Sequence, residues 1–277
     1  MAKLMVNDAE ILKEAARLLD AGKRVAMCTI IEKKGSGPRD IGGKMIVSED
    51  GKTFGTIGGG NLERALINES LKALREGKPR KAVFSLHKGG GKEAIETGLI
   101  CGGELTIFID VIEPRHRLIL IGAGHVALPL AKLADIVGFS LVVVDDNEEL
   151  ANKERFPMAQ EIITGNFNEI LDKIEVGSRD FVVIAHGEPE HDYLALEKII
   201  RKKPAYVGLL GSNVKVATLL KRLKEAGISD EELKPLHAPV GLDIGAQTPE
   251  EIAISILAEI IKEKRKGTLA STTHEGT

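Results

Sequence analysis

Two rhythms of hydrophobic positions run along the chain, and they predict two kinds of structure. In the first part, Ile11, Leu12, Ala15, Leu18 and Leu19 recur at helical spacing, so a helix is expected from Asp8 to Ala21. Asn7 or Asp8 can cap it and Gly22 can stop it. The largely apolar run Arg24–Ile31 (RVAMCTII) predicts a buried strand. Short strands follow at Lys44–Val47 and Thr53–Ile57 around the turn Glu49-Asp50-Gly51, then a helix over Asn61–Glu76. Strands are also predicted at Lys81–Leu86 and Glu104–Ile112, joined by HKGGGKEAIETGLICGG. Connections of that length are usually functional or mobile. From Leu118 the rhythm changes. Strands at Leu118–Ile121, Leu141–Val144, Glu161–Thr164, Phe181–Ala185 and Ala205–Leu209 alternate with helical segments, the first reaching Val137. That alternation predicts a parallel, doubly wound sheet. The expected fold class is therefore α/β: a Rossmann-like domain over 115–266, preceded by a smaller α/β domain with glycine-rich loops over 1–114. The small, polar stretch 267–277 is expected to be a disordered tail.

Composition narrows the class of molecule. The 277 residues suit two domains, and 43% hydrophobic with 29% charged residues is the mix of a globular protein. The net charge of −3 is small and both signs are dispersed, which favours neither nucleic acid nor an anionic membrane. No run of about 18–20 apolar residues predicts a membrane span, and the N-terminus lacks the apolar core of a secretory signal. Two cysteines, Cys28 and Cys101, are too few for a disulfide framework and fit a reducing compartment. A cytoplasmic protein is expected. A homodimer is compatible with the chain, although no particular residue specifies one.

The most informative motif opens the second half. An apolar strand ends at Gly122, and Gly122-Ala123-Gly124-His125-Val126-Ala127 leads into a helix. Gly122 suits a tight turn, Gly124 a close backbone approach to a phosphate, and Ala127 close packing of helix on strand. A phosphate there would meet amides at the positive end of the helix. Asp145 ends the next strand, where a carboxylate can accept from ribose hydroxyls. Any pyrophosphate with a ribose beside it satisfies these groups, and a Rossmann scaffold without a ligand carries the same pattern.

Several stretches together resemble the XdhC/CoxI family, the xanthine dehydrogenase accessory factors. They are GSGPRDIGGKM (Gly35–Met45), GTIGGGNLE (Gly55–Glu63), GLICGG (Gly98–Gly103), LIGAGHVA, VVVDD, YVGLLGS (Tyr206–Ser212) and PVGLDIGAQTPEEIAISILAEI (Pro239–Ile260). They span almost the whole chain in the order the family shows. The resemblance implies a maturation chaperone that binds the molybdenum cofactor, as molybdopterin or its cytosine dinucleotide form. It also implies that the protein assists sulfuration of this cofactor and its insertion into a xanthine dehydrogenase-type molybdenum hydroxylase. The implied partners are that apoenzyme and a cysteine desulfurase. The expectation is that the Rossmann turn holds the phosphate end, while the N-terminal glycine loops and Cys101 face the pterin and metal. Two rival readings stay open: an NAD(P)-dependent oxidoreductase and a non-catalytic Rossmann ligand-sensing module.

The other candidate residues each admit two readings. Ser36 and Arg39 in GSGPRD could hold an anion, or belong to an ordinary turn. Gly58, Gly59 and Gly60 precede a helix and could admit a ligand close to the backbone. Glu63 would compete for those amides and could instead complete a capping arrangement. Cys101 could contact molybdenum or carry sulfur, or be inert; Cys28, inside an apolar strand, is expected in the core. His186 follows a strand at the end of the sheet where ligands bind, and is the one residue attractive for hydride transfer. His191 and Asp192 lie nearby, but the spacing matches no standard zinc site. The family shows Thr-His and a nearby second His and Asp, whereas Ala185 and Glu188 stand at two of those positions. His125 could bond a phosphate or pterin edge as a neutral imidazole at a helix N-terminus, or be an exposed helix residue. Gly211 and Ser212 offer amides and a hydroxyl, followed by Asn213 and Val214 where the family has basic residues. Asp243 lies on a loop that could reach the crevice, just before a helix that Thr248, Pro249 and Glu251 should cap.

Overall fold

The computed structural model describes residues 6–86, 94–96 and 102–269, which fall into two compact units, 1–115 and 116–277. Cys101 and most of the long glycine-rich connection lie outside the described residues.

The N-terminal unit contains α1 (Asp8–Asp20), β1 (Val25–Lys34), β2 (Lys44–Ser48), β3 (Thr53–Gly55), α2 (Gly60–Glu76), β4 (Arg80–Ser85), β5 (Ile95–Glu96) and β6 (Glu104–Ile112). Its sheet has the order β3-β2-β1-β6-β4-β5, antiparallel throughout except for the short β4–β5 pair. The apolar run in β1 exists because both faces of this strand are covered. Val25 and Met27 pack with Ile11 and Ala15 of α1, whereas Ala26, Cys28 and Ile30 pack with Leu62, Leu66 and Ala73 of α2. Asn7 and Glu10 form a reciprocal capping box at the start of α1.

The C-terminal unit contains β7 (Arg117–Ile121), α3 (Ala127–Ile136), β8 (Ser140–Val144), β9 (Glu161–Ile163), α4 (Phe167–Lys173), β10 (Phe181–Ile184), α5 (Pro189–Arg201), β11 (Tyr206–Leu209), α6 (Asn213–Glu225), β12 (Leu236–His237) and α7 (Pro249–Leu269). The sheet is parallel, in the order β12-β11-β10-β7-β8-β9. This is the doubly wound order, with its switch point between β7 and β10. Alternation assigns the faces: Leu118, Leu120, Leu141 and Val143 join the core beneath α3 and α7. Ile119, Ile121, Val142 and Val144 join the core beneath α4, α5 and α6. As the sequence predicts, Thr248 and Glu251 cap α7 reciprocally. The hydrophobic pattern does not predict β5 or β12, each only two residues long. No helix among the described residues is long and apolar enough to cross a membrane.

Candidate functional site

In the C-terminal unit, Gly122 brings two strands together at the switch point. Its backbone has a positive φ of 106°, and a β-carbon there would lie 2.5 Å from the carbonyl of Ala185 and the amide of His186. No side chain fits. The turn is then held from behind: the Gly122 amide donates to Val144 (2.7 Å), and the Ala123 amide to Asp145 Oδ2 (2.6 Å). Asp145 is buried, and its other oxygen accepts from the Asn147 amide at 2.8 Å. The carboxylate expected to face a ribose is therefore turned inward, where it shapes the turn.

Among the described residues, no acceptor meets the N–H of Gly124, His125 or Val126. A β-carbon at Gly124 would meet no protein atom within 4 Å. Gly124 thus leaves open space before the N-terminus of α3, the geometry that admits an anion. Beside it lies a concavity of about 330 Å³ whose lining includes His125, Lys132, Arg155 and Glu250. Arg155 also donates to the Ala123 carbonyl (3.0 Å), which fixes the basic side chain next to the turn.

His186 lies on the other side of the switch point, and the structure sets Asp146 and Phe167 beside it as well as His191. Its Nε2 is 3.0 Å from Asp146 Oδ1, and Nε2 of His191 is 3.5 Å from Asp146 Oδ2. The two imidazoles stack with centroids 4.4 Å apart, and Phe167 meets both edge-on. Burial opposes ionisation of Asp146, but the hydrogen bond and charge of His186 outweigh it and hold the carboxyl below its usual range. Asp192 does not join them. It is fully buried, accepts from the His186 amide (3.2 Å) and forms an ion pair with Lys215.

Ser212 is the N-cap of α6 and accepts from the Lys215 amide, and Gly211 leaves room for the Lys215 side chain. Both are tied into α6. Asp243 is exposed at the tip of a loop whose base is pinned to α7: Gly241 donates to Glu259, and Ser255 donates to the Leu242 carbonyl. Glu259 also accepts from Tyr206 (2.7 Å) and lies 3.3 Å from His237.

The glycine motifs of the N-terminal unit pack on one another. A β-carbon at Gly58 would lie 2.2 Å from Pro38, and one at Gly103 would lie 2.0 Å from the Ser36 carbonyl. GSGPRD, GTIGGG and the end of GLICGG therefore converge. The amides before α2 are occupied: Glu63 Oε1 accepts from Ile57 (3.1 Å) and Gly59 (3.0 Å) as well as from the Thr56 hydroxyl. The competition expected from Glu63 is what the structure shows. Lys33 closes the GSGPRD loop through Gly37 and Asp40, leaving Arg39 half-buried alongside. Cys28 is core, hydrogen-bonded with Ser70 at 3.2 Å, and burial pushes its thiol up to about 12.

Of the functional groups, Asp146, Phe167, Lys132 and Arg155 are not singled out by sequence reasoning. The doubled acid in VVVDD is the only local signal for Asp146.

Comparison with known proteins places this geometry. Residues 118–260 match the XdhC Rossmann domain, and residues 18–86 match the XdhC and CoxI family. YqeB of Escherichia coli K12, described as uncharacterized, is 42% identical over 255 residues, covering 92% of this chain and 46% of YqeB. A Bacillus subtilis 168 protein, described as a probable xanthine dehydrogenase subunit, is 38% identical over 162 residues, 58% of this chain and 46% of that one. The molybdenum cofactor insertion chaperone PaoD of Escherichia coli K12 is 26% identical over 279 residues, 90% of this chain and 86% of PaoD. The chain spans about half the length of the first two of these relatives. A crystal structure described as a xanthine dehydrogenase from Bacillus halodurans superposes with a TM-score of 0.53 at 27% identity, covering 93% of this chain and 97% of that one. With matches in both units and a Rossmann domain built around the Gly122 turn, this chain belongs to the XdhC and CoxI family.

Proposed function

We propose that this protein is an accessory factor in the maturation of a molybdenum hydroxylase, and that it binds the molybdenum cofactor as its cargo. One observation carries the binding mode: the amides of Gly124, His125 and Val126, which no acceptor among the described residues meets, beside open space at Gly124. Three amides at a helix N-terminus, with His125, Lys132 and Arg155 nearby, are complementary to a phosphate or pyrophosphate. Both forms of the cofactor carry such a group. The likeness to PaoD, a molybdenum cofactor insertion chaperone, supports cofactor handling. The likeness to the probable xanthine dehydrogenase component of Bacillus subtilis supports a hydroxylase apoenzyme as the client.

In the fuller form of this reading, the protein shields the cofactor while a cysteine desulfurase supplies the terminal sulfur, and then delivers it. Cys101, immediately before Gly102 in the sequence, is the proposed contact for molybdenum or sulfur. Ser36 and Arg39 are the proposed polar contacts in the N-terminal unit, and Gly59 and Gly60, where a β-carbon would meet no protein atom within 4 Å, leave room beside the plugged amides. An oxidoreductase would need a ribose acceptor other than Asp145, whose two oxygens are engaged by the Ala123 and Asn147 amides.

The test is anaerobic mixing of the full chain with released molybdenum cofactor, followed by reconstitution of an apo-hydroxylase. Wild type should prolong cofactor lifetime and raise reconstituted activity, and Cys101→Ala should lose the second effect. Micromolar binding of NADH or NADPH with turnover of a carbonyl substrate would replace this reading with the oxidoreductase one.

A further inference from the structure

The grouping of Asp146, His186 and His191 has no part in the phosphate turn, and it is built from three separate elements. Asp146 follows β8, His186 follows β10, and His191 lies in the first turn of α5. Because β8 and β10 flank β7, the pair formed by Asp146 and His186 bridges the strands on either side of the Gly122 turn. Phe167 of α4 supports both rings, so the group sits with the helices opposite α3.

We propose that these three side chains form a binding site for one divalent first-row transition ion, with Zn²⁺ the reference case. This proposal does not depend on the cofactor reading. Both histidines aim the same nitrogen, Nε2, at one carboxylate, at 3.0 and 3.5 Å. Ligand atoms on a tetrahedral ion with bonds of about 2.0–2.1 Å are about 3.3–3.4 Å apart, so these spacings straddle the required value. All three donor atoms lie within 4.8 Å of one another, and the two stacked rings, 7° from parallel, must tilt toward each other for one ion to lie in both ring planes. Two imidazoles and a carboxylate are a donor set for zinc, cobalt or iron, with a fourth position for water or an anionic oxygen.

Two details of the surroundings point the same way. The His186 side chain is only 9% exposed, yet its Nδ1 has no hydrogen-bond partner. With its proton on Nδ1, this ring presents at Nε2 the lone pair that metal ligation requires. Nδ1 of His191 lies 2.9 Å from Glu188 Oε2 but off the hydrogen-bonding axis. Glu188 is the N-cap residue of α5 without making a side-chain cap, so its exposed carboxylate can rotate to orient His191, as partners of metal-bound histidines do.

The test is titration of the untagged full chain with Co²⁺, followed by its visible d–d absorption, and competition with Zn²⁺. One equivalent should bind. Asp146→Asn and His191→Ala should abolish the band while far-ultraviolet circular dichroism stays native. Glu188→Gln should weaken binding by roughly 10–100-fold, and His125→Ala should leave it unchanged. In the unsubstituted chain, Zn²⁺ should protect His186 and His191, but not His125, from diethylpyrocarbonate. Equal Co²⁺ binding by wild type and the folded Asp146→Asn variant would overturn the proposal. So would a thiolate charge-transfer band, or modification of His186 and His191 undiminished by Zn²⁺.

Discussion

Two glycine-rich turns in this protein lead into helices, one at Gly58-Gly59-Gly60 before α2 and one at Gly122–Val126 before α3. In sequence they make the same offer of backbone amides at the positive end of a helix. In the structure they differ by where a carboxylate is placed. Glu63, in the first turn of α2, folds back and takes the amides of Ile57 and Gly59. The α3 turn has no acid in its first turn, and its carboxylate, Asp145, grips from behind through Ala123. One turn is closed by its own chain and the other is braced from the rear, with its remaining amides left over. Glycine count alone does not make an anion site; the position of the nearest carboxylate decides.

The largest effects should come from filling glycine positions that hold a turn together. Gly122→Ala and Gly58→Ala each combine positive φ with a backbone or proline clash at 2.5 and 2.2 Å. Each should lower the stability of its own unit by about 3 kcal/mol or more in urea unfolding. A loss of less than about 1 kcal/mol would show that these turns relax easily.

Removing the self-made plug comes next. Glu63→Ala should cost the N-terminal unit about 2 kcal/mol, because several donors lose one charged acceptor. The same variant should gain measurable sulfate or phosphate binding, detected as anion-dependent stabilisation in thermal melts. No gain would mean that the plug is not what separates the two turns.

Asp145→Asn tests the brace. An amide can present its oxygen to only one of the Ala123 and Asn147 N–H groups, so about 1.5 kcal/mol should be lost. Anion affinity at Gly124 should fall with it.

The smallest effect is on the pH response of the α7 anchor. Burial opposes ionisation of Glu259, but the Tyr206 and Gly241 hydrogen bonds and the His237 charge outweigh it and hold the carboxyl below its ordinary range. A depressed carboxyl adds stability above the unfolded value and loses it as the pH falls through the folded one. Glu259→Gln should therefore flatten the acid side of the stability curve, and it should also lessen the alkaline loss, because Glu259 helps burial to hold the Tyr206 hydroxyl above its usual range.

The Rossmann half was legible because each βα unit carries its own local signal: a short apolar strand, a turn residue and a helical stripe. The occupied turn at Glu63 was also readable, since donor and acceptor are only four to six residues apart. Asp145 was found but its direction was not, because facing a ribose and facing Ala123 require the same residue at the same strand end. Of the Asp146–His186–His191 group, the two histidines were in view but the acid beside them was taken as Asp192. Asp146 and His186 are separated by 40 positions, and their meeting depends on β8 and β10 both bordering β7. Spacing along the chain carries no trace of that strand order. Arg155 escaped for the same reason, since it reaches the α3 turn only after the segment beyond β8 has folded.

The central claim rests on Gly124, and Gly124→Ala tests it most directly. The added methyl meets no protein atom within 4 Å, so the variant should fold with a stability change within about 0.5 kcal/mol. It should nevertheless bind released molybdenum cofactor about 10-fold more weakly or worse, in equilibrium titration under anaerobic conditions, a loss of about 1.4 kcal/mol. Unchanged affinity in a variant of unchanged stability would contradict the account, because a ligand phosphate seated on those amides cannot share its space with that methyl group.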